Sequence, residues 1–220
     1  MKKLPNKFKP WVVLLLYFLS LLSSMRIVFS IEEKFFCDNI IFRELAIFFC
    51  NLCISGFFFF YYSKKFQDLR HFLKFSIKYF LFAFILEIFI YLVSDFLPNF
   101  QILKEFNFLK SPKSFFSIYK YISLFITGPI LEEIFFRGVL FRLFLEYYSL
   151  FYAIILSGFA FTIFHPFPID EKSTLEFVFH FFGRWFHGIL LCSFVYKTKN
   201  LSFAFGFHMA NNFFCTLKIL

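Results

Sequence analysis

The run WVVLLLYFLSLLSSMRIVFS, residues 11–30, holds a single charged side chain, Arg26. About 20 apolar residues in a helix match the hydrocarbon thickness of a bilayer. A surface helix of a soluble protein would show a polar face, and this run has none. Outward from it the same texture recurs at residues 39–62, 75–97, 114–143, 147–164, 174–196 and 201–219. The fourth run is long enough to be a span with an interfacial extension, or two broken pieces. These runs predict an all-α, polytopic helical membrane protein with about seven transmembrane helices, six to eight depending on how the fourth run divides.

Composition excludes the common alternatives. The chain has 220 residues, 60% of them hydrophobic, including 46 Phe. Its mean hydropathy is +0.73. A soluble fold of this length cannot hide so much apolar surface. An outer-membrane barrel would show short alternating segments rather than long continuous runs. The net charge is +9, but Lys and Arg sit mostly between the apolar runs, where they meet anionic headgroups. The expected partner is therefore the lipid bilayer and not nucleic acid.

The first residues, MKKLPNKFK, carry four lysines ahead of the first run. This resembles a signal peptide, but no small-residue cleavage pattern follows and further spans do. An uncleaved first span is expected. With the N-terminus cytoplasmic, the inner links hold Lys2, Lys3, Lys7, Lys9, Lys64, Lys65, Arg70, Lys74, Arg142, Lys197 and Lys199. That is a modest excess over the outer links, in the sense of the positive-inside rule. The longest polar link is about 98–113, and no internal repeat is visible. The five cysteines, Cys37, Cys50, Cys53, Cys192 and Cys215, lie in apolar surroundings and read as buried inert thiols. The lone CxxC of Cys50 and Cys53 has no second pair.

Ionisable residues inside apolar runs are expensive, and they mark function by default. The first three spans carry few. Glu87, within LFAFILEIFIYL, is deep and reads as a protonated carboxyl bonded to a neighbouring helix. The last hundred residues carry many more: Glu132, Glu133, Arg137, His165, His180, Arg184, His187 and His208. Glu133 and Arg137 are i,i+4 on one helix face and can pair. Glu132 is turned about 100° away, which leaves its carboxylate available as a general base. His208 and Asn212 are also i,i+4, and both can donate hydrogen bonds toward one point, as an oxyanion requires. His165 ends the fifth run, with Phe161 one turn before it and Pro166 and Pro168 after it. His180, Arg184 and His187 share one face of the sixth run. They read as a supporting network around a site or as a headgroup contact, with a metal site as the rival. Gly183 and Gly188 nearby would let helices approach closely.

In order, the chain reads Glu132-Glu133-xxx-Arg137, Phe161-xxx-His165 and His208-xxx-Asn212. This ordered set resembles the CPBP family of intramembrane proteases, which includes the CAAX-processing prenyl-protein endopeptidases and the bacterial Abi-like proteins. The resemblance covers about residues 115–215. It divides the chain into N-terminal transmembrane helices without a motif, 1–113, and a CPBP-like catalytic core, 114–220. It implies helices around a polar intramembrane cavity. It implies that Glu132 and His165 activate a water for attack on a peptide carbonyl. His208 and Asn212 would stabilise the oxyanion, and Glu133 and Arg137 would support the site. The substrate implied is a membrane-anchored or transmembrane protein. No HExxH is present, and no metal is expected to be required. A zinc ion held by Glu132, His165 and His208 is the chemical alternative.

Two other readings stay open at this level: a non-catalytic membrane scaffold or regulator on the same fold, and a transporter relaying protons through Glu87, Arg184 and the histidines. A depth conflict also stands. His165 ends one run on the outer side, Glu132 lies well inside another, and His208 is about two turns from an inner end. Straight helices normal to the membrane would not bring them together.

Overall fold

A computed structural model of the chain describes residues 8–31, 40–63, 73–96, 122–165 and 174–217. Lys2, Lys3, Lys7, the 98–113 link, Cys37, Pro166 and Pro168 lie outside the described residues. Every described element is helical. Helices α1 (Lys9–Ile31), α2 (Ile40–Ser63) and α3 (Ile77–Phe96) come first. A continuous rod follows, made of a π-helical segment Ser123–Thr127, α4 (Gly128–Glu133), a second π-helical segment Ile134–Leu140, and α5 (Phe141–Tyr147). Helices α6 (Leu150–Phe164), α7 (Thr174–Thr198) and α8 (Ser202–Leu217) complete the chain. Each apolar run falls on helix, the fourth from residue 122 onward. Within the described residues, from 122 onward, the fourth run is one rod with two widened stretches.

The all-α reading holds. By length and composition, two of the described helices are apolar and long enough to cross a membrane, Lys9–Ile31 and Phe177–Thr198. The expectation of about seven crossings is not carried by helix length alone. Helix α6 has 15 residues and α8 has 16, roughly 22–24 Å at 1.5 Å per residue. A hydrocarbon core is about 30 Å thick.

The rod sits at the centre. Phe135, Phe136, Val139, Leu140, Phe141, Leu143 and Phe144 are all buried, as befits a helix apolar on every side. Helices α1 and α2 pack on it. Tyr17 stacks on Phe135 with ring centroids 3.5 Å apart, and its hydroxyl shares a 3.0 Å hydrogen bond with Ser55. Helix α3 pairs with α8. The Ser76 N–H donates to Ser202 Oγ at 2.8 Å, and Asn200 Nδ2 donates to the Lys74 carbonyl at 2.7 Å. Gly206 lies against the Phe80 backbone so closely that a Cβ there would collide with the Phe80 carbonyl. The pairs 74–200, 76–202 and 80–206 keep one offset, so α3 and α8 run parallel.

Helices α6 and α7 cross where Gly158 meets Gly188. A Cβ on Gly188 would come within 2.7 Å of Gly158 Cα. Gly183, expected to serve the same purpose, has nothing within 4 Å of the place a Cβ would take. Between the two glycines, Trp185 ties α7 to α6 by a different contact, its Nε1 donating to the Ile155 carbonyl at 3.1 Å.

The outer faces carry large exposed apolar side chains, among them Leu15, Ile27, Phe57, Phe60, Ile85, Phe89, Phe182 and Phe186. Exposed apolar surface of this extent marks contact with lipid or another protein. Two sequence expectations need correction. Cys192 is buried, but Cys50 is half-buried and Cys53 exposed, because their helix turns one side outward. Glu87 is buried as expected, yet its Oε2 has no hydrogen-bond partner among the described residues.

Candidate active site

The polar residues of the rod stand at the junction of α4 with the second π-helical segment. Such segments widen a helix locally and often occur at functional sites. Glu132 and Glu133 are the last residues of α4, and Arg137 lies in the following π-helical turn. Arg137 Nη1 donates to Glu133 Oε1 at 2.9 Å, with both side chains wholly buried. The i,i+4 pair expected from spacing is present.

His165 is set by the end of α6. The residue before a proline avoids helical angles, and His165 ahead of Pro166 is extended, at φ −89° and ψ 122°. Its backbone N–H turns to the Thr162 carbonyl at 3.2 Å. The Phe161 carbonyl, left without its helical partner, is 2.8 Å from His165 Nδ1. A carbonyl only accepts, so Nδ1 carries the proton. Nε2 then faces Glu132 Oε2 at 3.0 Å, a contact that holds one proton between nitrogen and carboxyl.

His208 is set by the start of α8. The chain passes through Lys199 at φ 53°, and Asn200 Oδ1 accepts the Ser202 N–H at 2.7 Å, a side-chain cap for the new helix. Two turns on, His208 Nδ1 donates to Glu133 Oε1 at 2.8 Å. Its Nε2 is 3.8 Å from Glu132 Oε2. One carboxylate oxygen of Glu133 thus serves both Arg137 and His208, whereas spacing alone had paired Glu133 only with Arg137.

Glu132, His165 and His208 therefore come together from three helices. Their donor atoms lie within 4.8 Å of one another. Whatever depths straight helices would give them, packing brings the end of α6 and the middle of α8 against Glu132. Burial is unequal. The side chains of Glu132 and His165 are 32% and 24% exposed, and those of His208 and Glu133 are 5% and 0% exposed. The site opens on the Glu132–His165 side.

The three donor atoms also fit a metal. Both imidazoles present Nε2 while Nδ1 is tied to an oxygen acceptor, which is the outer-shell arrangement of metal-binding histidines. The donor set, one carboxylate and two imidazoles, suits zinc.

Asn212 is placed differently from His165 and His208. Its Nδ2 donates to the Leu124 carbonyl at 2.9 Å, in the first π-helical segment, where the rod's own hydrogen-bond pattern is shifted. His187 stands beside the cluster, edge-on to Phe207 at 4.8 Å and 6.1 Å from the His208 ring. Arg184, one turn away on α7, is within electrostatic reach of His165 and His187. His180 lies on the same helix face, a further turn along. Sequence reasoning gave no part to the Phe161 and Leu124 carbonyls. The signal for the first was in the chain: a histidine followed by proline strips its i−4 carbonyl of a partner.

Fold and site define a class: an all-helical protein with a carboxylate and two imidazoles converging inside an apolar bundle. Residues 114–214 match the family model described as type II CAAX prenyl endopeptidase, Rce1-like. The resemblance drawn from the three motifs is thereby borne out. The family is one of proteases and of integral membrane proteins. No curated protein and no solved structure matches the chain.

Proposed function

We propose that this protein is an intramembrane endopeptidase that hydrolyses peptide bonds of membrane-anchored or transmembrane proteins. The observation that supports this best is the convergence of Glu132, His165 and His208 around one opening in an apolar bundle. Peptide hydrolysis needs a water made nucleophilic and a place for negative charge. Glu132 and His165 flank the open side, where a water beside the pair loses its proton to the Glu132 carboxylate, which His165 orients. The Nδ1 of His208 is committed to Glu133, so any further proton on this ring sits on Nε2, which faces the reacting centre. From there it donates to the oxyanion. Asn212, one turn beyond His208 on the same helix, is the second donor, its amide nitrogen carrying two hydrogens. Glu133 and Arg137 hold His208 in place. His180, Arg184 and His187 line the α7 wall. The surrounding apolar helices exclude bulk water, which strengthens each of these interactions.

In this reading no metal is required. If zinc is bound, Glu132, His165 and His208 hold it, and it supplies Lewis-acid activation of a water. Activity that survives exhaustive chelation supports the metal-free reading; activity restored only by added zinc overturns it.

The chain crosses the membrane about seven times, with the N-terminus cytoplasmic. Helices in residues 1–113 brace a catalytic core in 114–220. The parallel run of α3 and α8 supports this parity, because the four crossings that follow α3 return the chain to the same direction. Short α6 and α8 lie where a locally thinned or polar-lined membrane is needed.

The deciding experiment uses purified protein in lipid vesicles with a panel of lipidated and transmembrane peptides. Wild type is expected to cleave at least one, and Glu132→Gln to cleave it about a thousandfold more slowly while keeping its helical content. Equal cleavage by both would refute the role of Glu132. A membrane-proteome comparison of the two then identifies the natural substrate.

A further inference from the structure

Phe161 is buried, 3% exposed, and the basic side chains of the site gather round it. The Arg137 guanidinium carbon lies 4.1 Å from the centre of its ring. The His165 ring centroid is 4.3 Å away and that of His208 5.7 Å, the latter edge-on. Phe136 packs behind, edge-on to Phe161 at 5.2 Å and to Phe164 at 5.3 Å. Arg137 is fully buried, and Nη1 makes its bond to Glu133. Its Nε and Nη2 have no hydrogen-bond partner among the described residues. The Cys192 thiol lies beside the guanidinium, but a thiol sulfur is a weak acceptor. The larger remaining stabilisation for a cation out of water is the face of the aromatic ring. The ring quadrupole attracts a cation over that face, more so when it is desolvated.

From these contacts we infer that Phe161 is a positioning residue that sets both histidines at once. Its carbonyl takes the Nδ1 proton of His165 and so turns Nε2 to Glu132. Its ring seats Arg137, Arg137 seats Glu133, and Glu133 takes the Nδ1 proton of His208 and turns that Nε2 to Glu132 as well. One residue on α6 thus aligns a histidine pair drawn from α6 and α8. Phe161 itself touches no substrate. The inference rests on the proposed peptidase reading for its role in rate, but the Phe161–Arg137 contact stands apart from it.

The test replaces Phe161 with phenylalanines carrying one, two and three ring fluorines, which drain the π face with little change in size. With a cleaved peptide, kcat is expected to fall stepwise, to about a tenth at three fluorines, with KM unchanged. The melting temperature of the same proteins should fall in the same order, and this second measurement needs no substrate. Phe161→Leu, which keeps the carbonyl and loses the ring, should lie beyond the end of the series, and Phe161→Tyr should recover most of kcat. A flat series in both kcat and melting temperature overturns the inference. If wild type cleaves nothing but melting follows the fluorine count, the peptidase reading fails and the contact stands. If wild type cleaves and kcat is flat while melting falls, the ring only stabilises the fold and the positioning role is wrong.

Discussion

Glu132 and Glu133 are adjacent in the chain and differ in almost every respect that matters for chemistry. Glu132 is a third exposed and faces two imidazole nitrogens across an opening. Glu133 is wholly buried, and one of its oxygens takes a guanidinium and an imidazole together. The open half of the site, Glu132 with His165, is arranged to meet a reagent. The closed half, Glu133 with Arg137 and His208, is arranged to stay fixed. Residue type did not decide this division. The phase of the helix did, by pointing one carboxylate at the gap and the next at the core.

If that division is right, substitutions on the two halves must fail differently. Glu132→Gln should lower the cleavage rate by about a thousandfold, in line with loss of a general base, with the melting temperature unchanged; rates on a lipidated peptide beside circular dichroism check it. A large loss of stability there would break the comparison. Arg137→Leu leaves Glu133 buried with only the His208 imidazole for a partner, and loss of the guanidinium costs about 3–5 kcal/mol. Thermal or denaturant unfolding in detergent should show this, and activity should fall because the protein is not folded. The same substitution leaving stability intact would mean that the closed half is not what holds the site.

A smaller effect is expected where the scaffold, not the site, is changed. Gly188→Ala forces a methyl group to within 2.7 Å of Gly158 Cα, and overpacking of this kind costs about 1–3 kcal/mol. Since α6 carries His165, cleavage should fall modestly together with the melting temperature, both being read on the same preparation. The smallest effect belongs to Cys53→Ser. That thiol is exposed on α2, and the change should stay within about 0.5 kcal/mol with full activity. A marked loss of activity would revive a redox or metal part for Cys50 and Cys53.

Much of the architecture was legible because lipid imposes simple rules. Uninterrupted apolar runs mark the helices from Lys9–Ile31 to Ser202–Leu217 within a few residues. The i,i+4 spacing announced the Glu133–Arg137 pair. The limits are equally specific. Spacing within a helix says nothing about partners on other helices, so the His208–Glu133 bond was not foreseen. The end of α6 at Phe164 was legible from the prolines that follow, but not that it would lie against Glu132. Gly183 and Gly188 look alike in the sequence, yet one packs against a helix and the other faces open space. Cys53 looked buried because its neighbours are apolar, but with so many apolar side chains on the outer faces an apolar neighbourhood does not mean burial.

The chain alone determined that the protein is helical, that its polar groups crowd into the second half, and which motif residues they are. These follow from local physics: hydrophobic length, helical periodicity and the helix-ending effect of proline. Only the tertiary structure decided which partners each carboxylate meets, which nitrogen of each histidine is held, and that three helices of unequal length meet at one place. Those depend on the packing of segments distant in the chain, and short-range periodicity carries no information about that.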